Sequence, residues 1–228
     1  FATAKISLEN KIPTLLEKPI AIEPGEHSVL LALSQQHRTK LMVSYQFRFH
    51  PCVVKLREWL DTGKIGKIHA VDVKVHSFMP DWHPYENYAD LYASRKSLGG
   101  GVVLTEIHEL DLLSYLFGNP SIVEAVGGKV SNLNLDVEDT ISAVMKFSAF
   151  DSHFPVTANL SFIQKPVGRH FRIYGEQGYL HLDLANHELV YYDSENDIAD
   201  SLSLVQFDRN ALYVEVMQNF MSSLEYDR

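Results

Sequence analysis

The sequence predicts an α/β segment followed by an α+β domain built on an open, mainly antiparallel sheet flanked by helices. Three observations carry that prediction. Two short apolar runs flank one helical stretch near the start, the apolar pattern switches to period two from Ile68 onward, and turn residues then punctuate the chain at strand-length intervals. The 228 residues allow one large domain or two small ones, and 46% hydrophobic with 21% charged residues supply enough apolar surface for a core.

Each element has its own signal. Ala4 and Leu8, four apart, mark the tail of a helix over residues 1–11, and residues 12–16 form a short apolar run that reads as a buried strand. Pro24 opens a second helix with Val29, Leu30 and Leu33 on one face, ending near His37 and Arg38. Residues 41–44 are a further apolar strand, so strand, helix and strand form one βαβ unit with a parallel, buried pair. Residues 51–62 read as a helix with Pro51 at its first position, Val53, Leu56 and Leu60 on one face and Gly63 at its end.

From Ile68 to Val75 valines alternate with Asp72 and Lys74, the pattern of a half-buried strand. Residues 77–98 are aromatic and polar without a clean period and read as an ordered surface excursion. Gly99, Gly100 and Gly101 introduce a helix expected to bury Val103, Ile107, Leu110 and Ser114 and to stop at Gly118 and Pro120. Alternation at residues 141–147, 156–162, 171–173, 180–182 and 189–191 predicts antiparallel strands with one wet face, and a closing helix from about Asn210 carries Tyr213, Met217, Phe220 and Leu224.

Charge and cysteine usage exclude whole classes. Twenty Lys and Arg against 29 Asp and Glu give a net charge of −9, which repels phosphate backbones and anionic lipid, so neither nucleic acid nor membrane is an expected partner. The lone Cys52 cannot form an internal disulfide, and no apolar run reaches the ~18 residues of a membrane span, which fits a cytoplasmic setting.

The candidate chemistry centres on few residues. Lys18, within Glu17, Lys18 and Pro19, directly follows a strand at the edge where open α/β sheets place ligands; partly desolvated, its amine has a lowered pKa and can take a hydroxyl proton as hydride leaves. The plainer alternative is a solvated turn lysine. His108 shares a helix face with Asp111 one turn on, whose carboxylate can fix the imidazole tautomer, and the alternatives are a surface ion pair or a packed histidine. The rings of Trp82, Tyr85, Tyr88 and Tyr92, with Arg95 and Lys96, match a sugar-binding surface, or else plug a gap in the fold. The glycine run is a weak phosphate cradle, since neither GxGxxG nor GxxxxGK[ST] occurs, and His76, His83, His108, Glu106 and Asp111 lack metal-ligand spacing, so no metal is expected.

Taken together, five ordered segments resemble the Gfo/Idh/MocA family of nicotinamide-dependent sugar oxidoreductases. They are LLEKPIA from Leu15, MVSYQFRFHP from Met42, GKIGKIHAV from Gly63, DWHPYENY from Asp81 with SRK from Ser94, and LGGGVVLTEIHELD from Leu98; the last two resemble a branch tied to surface-polysaccharide biosynthesis. The resemblance implies that residues 1–48 are the C-terminal remnant of a Rossmann domain and residues 49–228 a substrate and dimerisation domain. It implies an oxidoreductase moving hydride between NAD or NADP and a sugar or sugar-nucleotide hydroxyl, with Lys18 as acid/base and His108 as its partner. Glu17, Pro19 and Arg48 would border the cofactor, and Trp82, His83, Tyr85, Arg95, Asp111, Gln164 and Lys165 the sugar. Homodimers or homotetramers would form through the antiparallel sheet.

Two departures from the family pattern follow. Where the family carries an aspartate before the histidine, this chain has Leu104 or Thr105, and on a continuous helix Glu106 points about 160° away from His108. The family's first strand and glycine-rich turn are expected upstream of Phe1, so the chain reads as part of a longer protein that binds NAD poorly by itself. The rival reading is a non-catalytic binding or dimerisation module derived from such an enzyme.

Overall fold

The expected βαβ unit is present in the computed structural model, which describes residues 1–195 and 197–225. β1 (Thr14–Leu16) pairs in parallel with β2 (Leu41–Val43), Leu15 opposite Met42. Their crossover is α2 (Pro24–His37), with Pro24 in its first turn and a reciprocal cap between Glu23 and Glu26; α2 stops at Arg38, which turns left-handed at φ 50°. α1 (Ala2–Glu9) and α2 bury Ala4, Leu8 and Leu30 against Leu16, Leu33 and Leu41. Both strands are half-buried rather than fully buried, because a two-stranded sheet has an open edge on each side.

Backbone contacts divide the chain into two units: Phe1–His50 together with Asp208 onward, and Pro51–Phe207. The closing helix α6 (Asn210–Glu225) therefore counts with the first unit, where it packs on a 3-10 turn, Gln46–Phe49; Gln46 Nε2 donates to the Tyr213 hydroxyl at 3.5 Å. Its buried stripe is Leu212, Val216 and Phe220, a strict four-residue spacing, whereas Tyr213 and Met217 are exposed.

In the second unit, α3 (Pro51–Asp61) buries Cys52, Val53, Leu56, Trp59 and Leu60, the stripe of an amphipathic helix. Among the described residues eight strands form one sheet in the order β10 (Ile198–Ser203), β9 (Glu188–Asp193), β8 (Gly178–Asp183), β7 (Ile163–Gly175), β3 (Ile68–Phe78), β6 (Ser152–Ser161), β5 (Thr140–Ala149), β4 (Ile122–Gly128). Every neighbouring pair is antiparallel except β3 with β6. One face carries Val71, Val73, Val75, Val156, Leu160, Phe171, Ile173, Leu180 and Leu182, all buried. Helices α3, α4 (Val102–Thr105) and α5 (Ile107–Phe117) pack on the sheet. The side chains alternating with these, among them Asp72, Lys74, His76, Thr157, Asn159, His170, Arg172 and His181, form the wet face.

Three details differ from the sequence expectation. β4 and β10 are additional strands; both are edges, with side chains exposed throughout or nearly so, so no burial drives an apolar alternation. The helix after the glycines is two helices meeting at Glu106 (φ −96°, ψ 32°). The buried face of α5 is His108, Glu109, Leu112, Leu113, Leu116 and Phe117, while Ser114 is exposed, because the helix turns charged groups inward at its first turn. The aromatic excursion is ordered by a succession of 3-10 turns between Met79 and Leu98.

Candidate active site

The parallel pairing of β1 and β2 sets the chemistry of the first unit. Glu17, Lys18 and Pro19 leave β1 at the carboxyl edge, the Ser44 N–H after β2 donates to the Leu16 carbonyl at 2.8 Å, and Tyr45 and Arg48 follow at the same edge. Lys18 is half-buried, its N–H donates to the Glu17 carboxylate at 3.3 Å, and the Lys18–Pro19 peptide is cis. The Arg48 guanidinium stands 5.4 Å from the Tyr45 ring centroid, a cation–π contact.

In the second unit His108 lies in the first turn of α5 and is buried, which removes the surface ion-pair alternative. Glu106 and Glu109, one turn apart, both engage Arg169 of β7: Arg169 hydrogen bonds Glu106, and its Nε lies 3.1 Å from Glu109 Oε1. Burial alone would lower the Arg169 pKa, but the two carboxylates, Glu109 foremost, outweigh it and raise it further, so the guanidinium stays charged. Glu106, two residues before His108, and Glu109, one residue after it, thus share one cation.

The helix break at Glu106 makes this arrangement possible. On one continuous helix Glu106 and His108 would diverge; the non-helical φ and ψ at Glu106 turn its carboxylate to Arg169 instead. Asp111 stands half-buried one turn beyond His108.

β7 also anchors the other end of the excursion. Lys165 Nζ lies 2.6 Å from Asp81 Oδ2 and 4.4 Å from the Phe78 ring centroid, which brings Gln164 and Lys165 to the segment that begins at Trp82. Trp82 packs edge-on against Phe162 at 5.0 Å, its Nε1 donating to Ser77 Oγ at 3.0 Å. The Tyr88 hydroxyl accepts from Asn134 N–H while its ring joins the core, so these two aromatics do plug the fold. Tyr85, 80% exposed, and Tyr92 keep open faces; His83 Nδ1 lies 2.9 Å from the Tyr85 hydroxyl and 3.3 Å from Glu86. Arg95 is half-buried and its carbonyl accepts from Gly100 N–H.

The glycine run has a steric cause. A Cβ on Gly100 would stand 2.5 Å from the Tyr92 carbonyl oxygen and 2.6 Å from that of Ala93. The free N–H groups at the start of α4 are already satisfied: Val102 donates to the Glu138 carbonyl and Val103 to the Glu138 carboxylate at 3.2 Å. A carboxylate occupies the place a phosphate would need.

The sequence patterns above do not point to Arg169 and Glu109, although a signal exists. Arg169 is in phase with Phe171 and Ile173, the inward positions of β7, and a charge in an apolar phase marks a buried, paired group.

A family profile described as the GFO/IDH/MocA C-terminal domain matches residues 53–181, more than half of the chain. The chain belongs to the Gfo/Idh/MocA family. A myo-inositol dehydrogenase of Streptomyces leeuwenhoekii is 29% identical over 145 residues, 61% of this chain and 41% of that protein. The UDP-N-acetylglucosamine 3-dehydrogenase of Acidithiobacillus ferrooxidans is 26% identical over 196 residues, 84% of this chain and 54% of that protein. The chain thus spans about half the length of these curated relatives or less. Among solved structures, a levoglucosan dehydrogenase in complex with NADH superimposes with a TM-score of 0.81 at 18% identity, covering 98% of this chain and 67% of that one, a likeness of fold. No described helix is long and apolar enough to cross a membrane.

Proposed function

We propose that this chain is the substrate-binding portion, with the adjoining end of the Rossmann domain, of an enzyme that transfers hydride between NAD or NADP and a secondary hydroxyl of a sugar or sugar nucleotide. The observation that carries the proposal is the Glu17, Lys18 and Pro19 turn at the carboxyl edge of a parallel strand pair, in a chain whose second unit matches a sugar-oxidoreductase family. The donor set at that edge suits the nicotinamide ribose: a carboxylate for its hydroxyls at Glu17, a ring wall at Pro19 and a cation at Arg48. The nicotinamide, when bound, accepts the hydride from the carbinol carbon.

Lys18 Nζ takes the hydroxyl proton as the C–H bond breaks, so the carbinol becomes a ketone and the proton stays on the ammonium. His108, buried in the first turn of α5, is assigned to binding the sugar. Tyr85, Tyr92, Arg95, Gln164 and Lys165 offer ring faces and polar groups for a pyranose and its anionic handle, and Trp82, His83 and Asp111 are assigned to the same sugar. The wet face of the sheet pairs two copies of the chain.

The test uses the parent protein with NAD and NADP against myo-inositol and UDP-N-acetylglucosamine. Lys18→Ala is expected to lower kcat by about 10²- to 10⁴-fold, and retention of more than about a tenth would exclude an acid/base role. The engagement of Glu106 by Arg169 favours a second reading, a binding module without redox chemistry; turnover of either substrate removes it.

A further inference from the structure

The wet face of the sheet holds a cluster the site above does not use. His170 of β7 and Asp183 of β8 are cross-strand partners, and His181 stands two residues before Asp183, opposite Arg172. One ligand atom from each of His170, His181 and Asp183 lies within 4.8 Å of the others; His170 Nδ1 is 3.6 Å from Asp183 Oδ2, and the two imidazoles stack at 5.7 Å with 23° between their planes. Ligands about 2.0 to 2.1 Å from a tetrahedral zinc ion stand roughly 3.3 Å apart, so small side-chain rotations close the gap.

We propose that His170, His181 and Asp183 bind a single divalent ion of the zinc class on this face, one ion per chain. Two imidazoles and a carboxylate suit zinc or cobalt over magnesium or calcium, which take oxygen ligands. Asp183 is oriented in advance: its Oδ1 accepts from the backbone N–H groups of Ala185 and Asn186, and its Oδ2 from the Asn186 amide at 2.8 Å.

Room for the rings comes from Gly168. A Cβ there would stand 2.6 Å from His170 Nε2 and from His76 Cε1, although the backbone is not in the left-handed region that otherwise calls for glycine. Burial, and then the charge of Arg172, lower the His181 pKa, the direction that favours the uncharged imidazole a metal ion needs. Arg172 Nε donates to His181 Nδ1 at 3.3 Å and competes for a lone pair that the ion would take.

Untagged, metal-stripped protein titrated with Zn²⁺, and with Co²⁺ followed by its visible absorption, tests the site. One ion per chain is expected, with at least about a tenfold loss of affinity in His170→Ala and in His181→Ala, a tenfold scale typical of metal-site substitutions. Arg172→Gln, which removes the competitor and a repelling charge, is expected to tighten binding, and His153→Ala, on another strand, to leave it unchanged. Folding of each variant is checked by far-ultraviolet circular dichroism, and Gly168→Ala offers an independent arm that weakens binding without replacing a ligand. No zinc or cobalt binding at micromolar concentration, binding by both histidine variants as tight as the parent's, or one ion per two chains would overturn the assignment.

Discussion

At the scale of single residues, the decisive group is Arg169, which forms ion pairs with two buried carboxylates at once. Replacing a buried partner strands the charges it neutralised, so Arg169→Met is expected to cost about 3–5 kcal/mol in urea unfolding, and a loss below 1 kcal/mol would show that the cluster is not bound by charge. Asp139 works by hydrogen bonds instead. Burial pushes its carboxyl up, but Ser131 Oγ and the Val130 and Ser131 N–H groups donate hydrogen bonds to the carboxylate and hold its pKa below the usual range. A folded pKa below the unfolded value of about 3.9 stabilises the protein above that pH, and the contribution vanishes as pH falls through the folded value. Asp139→Asn is therefore expected to lose stability at pH 7 and to converge with the parent in acid melts; parallel curves would contradict this. Cys52 needs no partner to be inert, since burial, aided by Glu188, pushes its thiol up to about 11. It is expected to ignore thiol reagents at pH 8 until denaturant is added.

At the scale of elements, much was legible. Apolar phase located α3 and the central strands, because each buries one face and burial imposes the period, whereas α2, which buries Leu30 but exposes Val29, was legible mainly from Pro24 at its start. The same physics explains what was not legible: β4 and β10 bury little and carry no phase, and α5 buries His108 and Glu109, so hydrophobicity misreports which side faces in. The position of Lys18 could be read from the strand before it, whereas the Glu106, Glu109 and Arg169 cluster needs β7 and α5 brought together over some 60 residues. The excursion depends on one backbone approach. Gly100→Ala forces a Cβ against two carbonyls that cannot swing aside, and a loss of about 1–3 kcal/mol is expected in thermal or urea unfolding; an unchanged midpoint would mean that the 3-10 turns around Tyr92 shift freely.

At the scale of the molecule, the wet face is not uniformly polar. Ile122, Val126 and Val144, all more than half exposed, line its β4–β5 end, the kind of surface that a second copy would cover. Analytical ultracentrifugation is expected to give twice the chain mass at micromolar concentration and to shift toward one chain in Val144→Glu; a monomer in both would end the pairing proposal. The chain holds no GxGxxG cradle for a pyrophosphate, and NADH fluorescence titration is accordingly expected to show weak binding; low-micromolar affinity would refute it. The parallel contact between β3 and β6 has a temporal meaning. Val71 meets Val156, and on its other side Ile173, so the strand made first in the sheet receives both neighbours only after some 80 to 100 further residues have left the ribosome. Until then both edges of β3 lack a partner, and closing so long a loop is slow. During synthesis, β3 waits longer for its neighbours than any other described strand of this sheet.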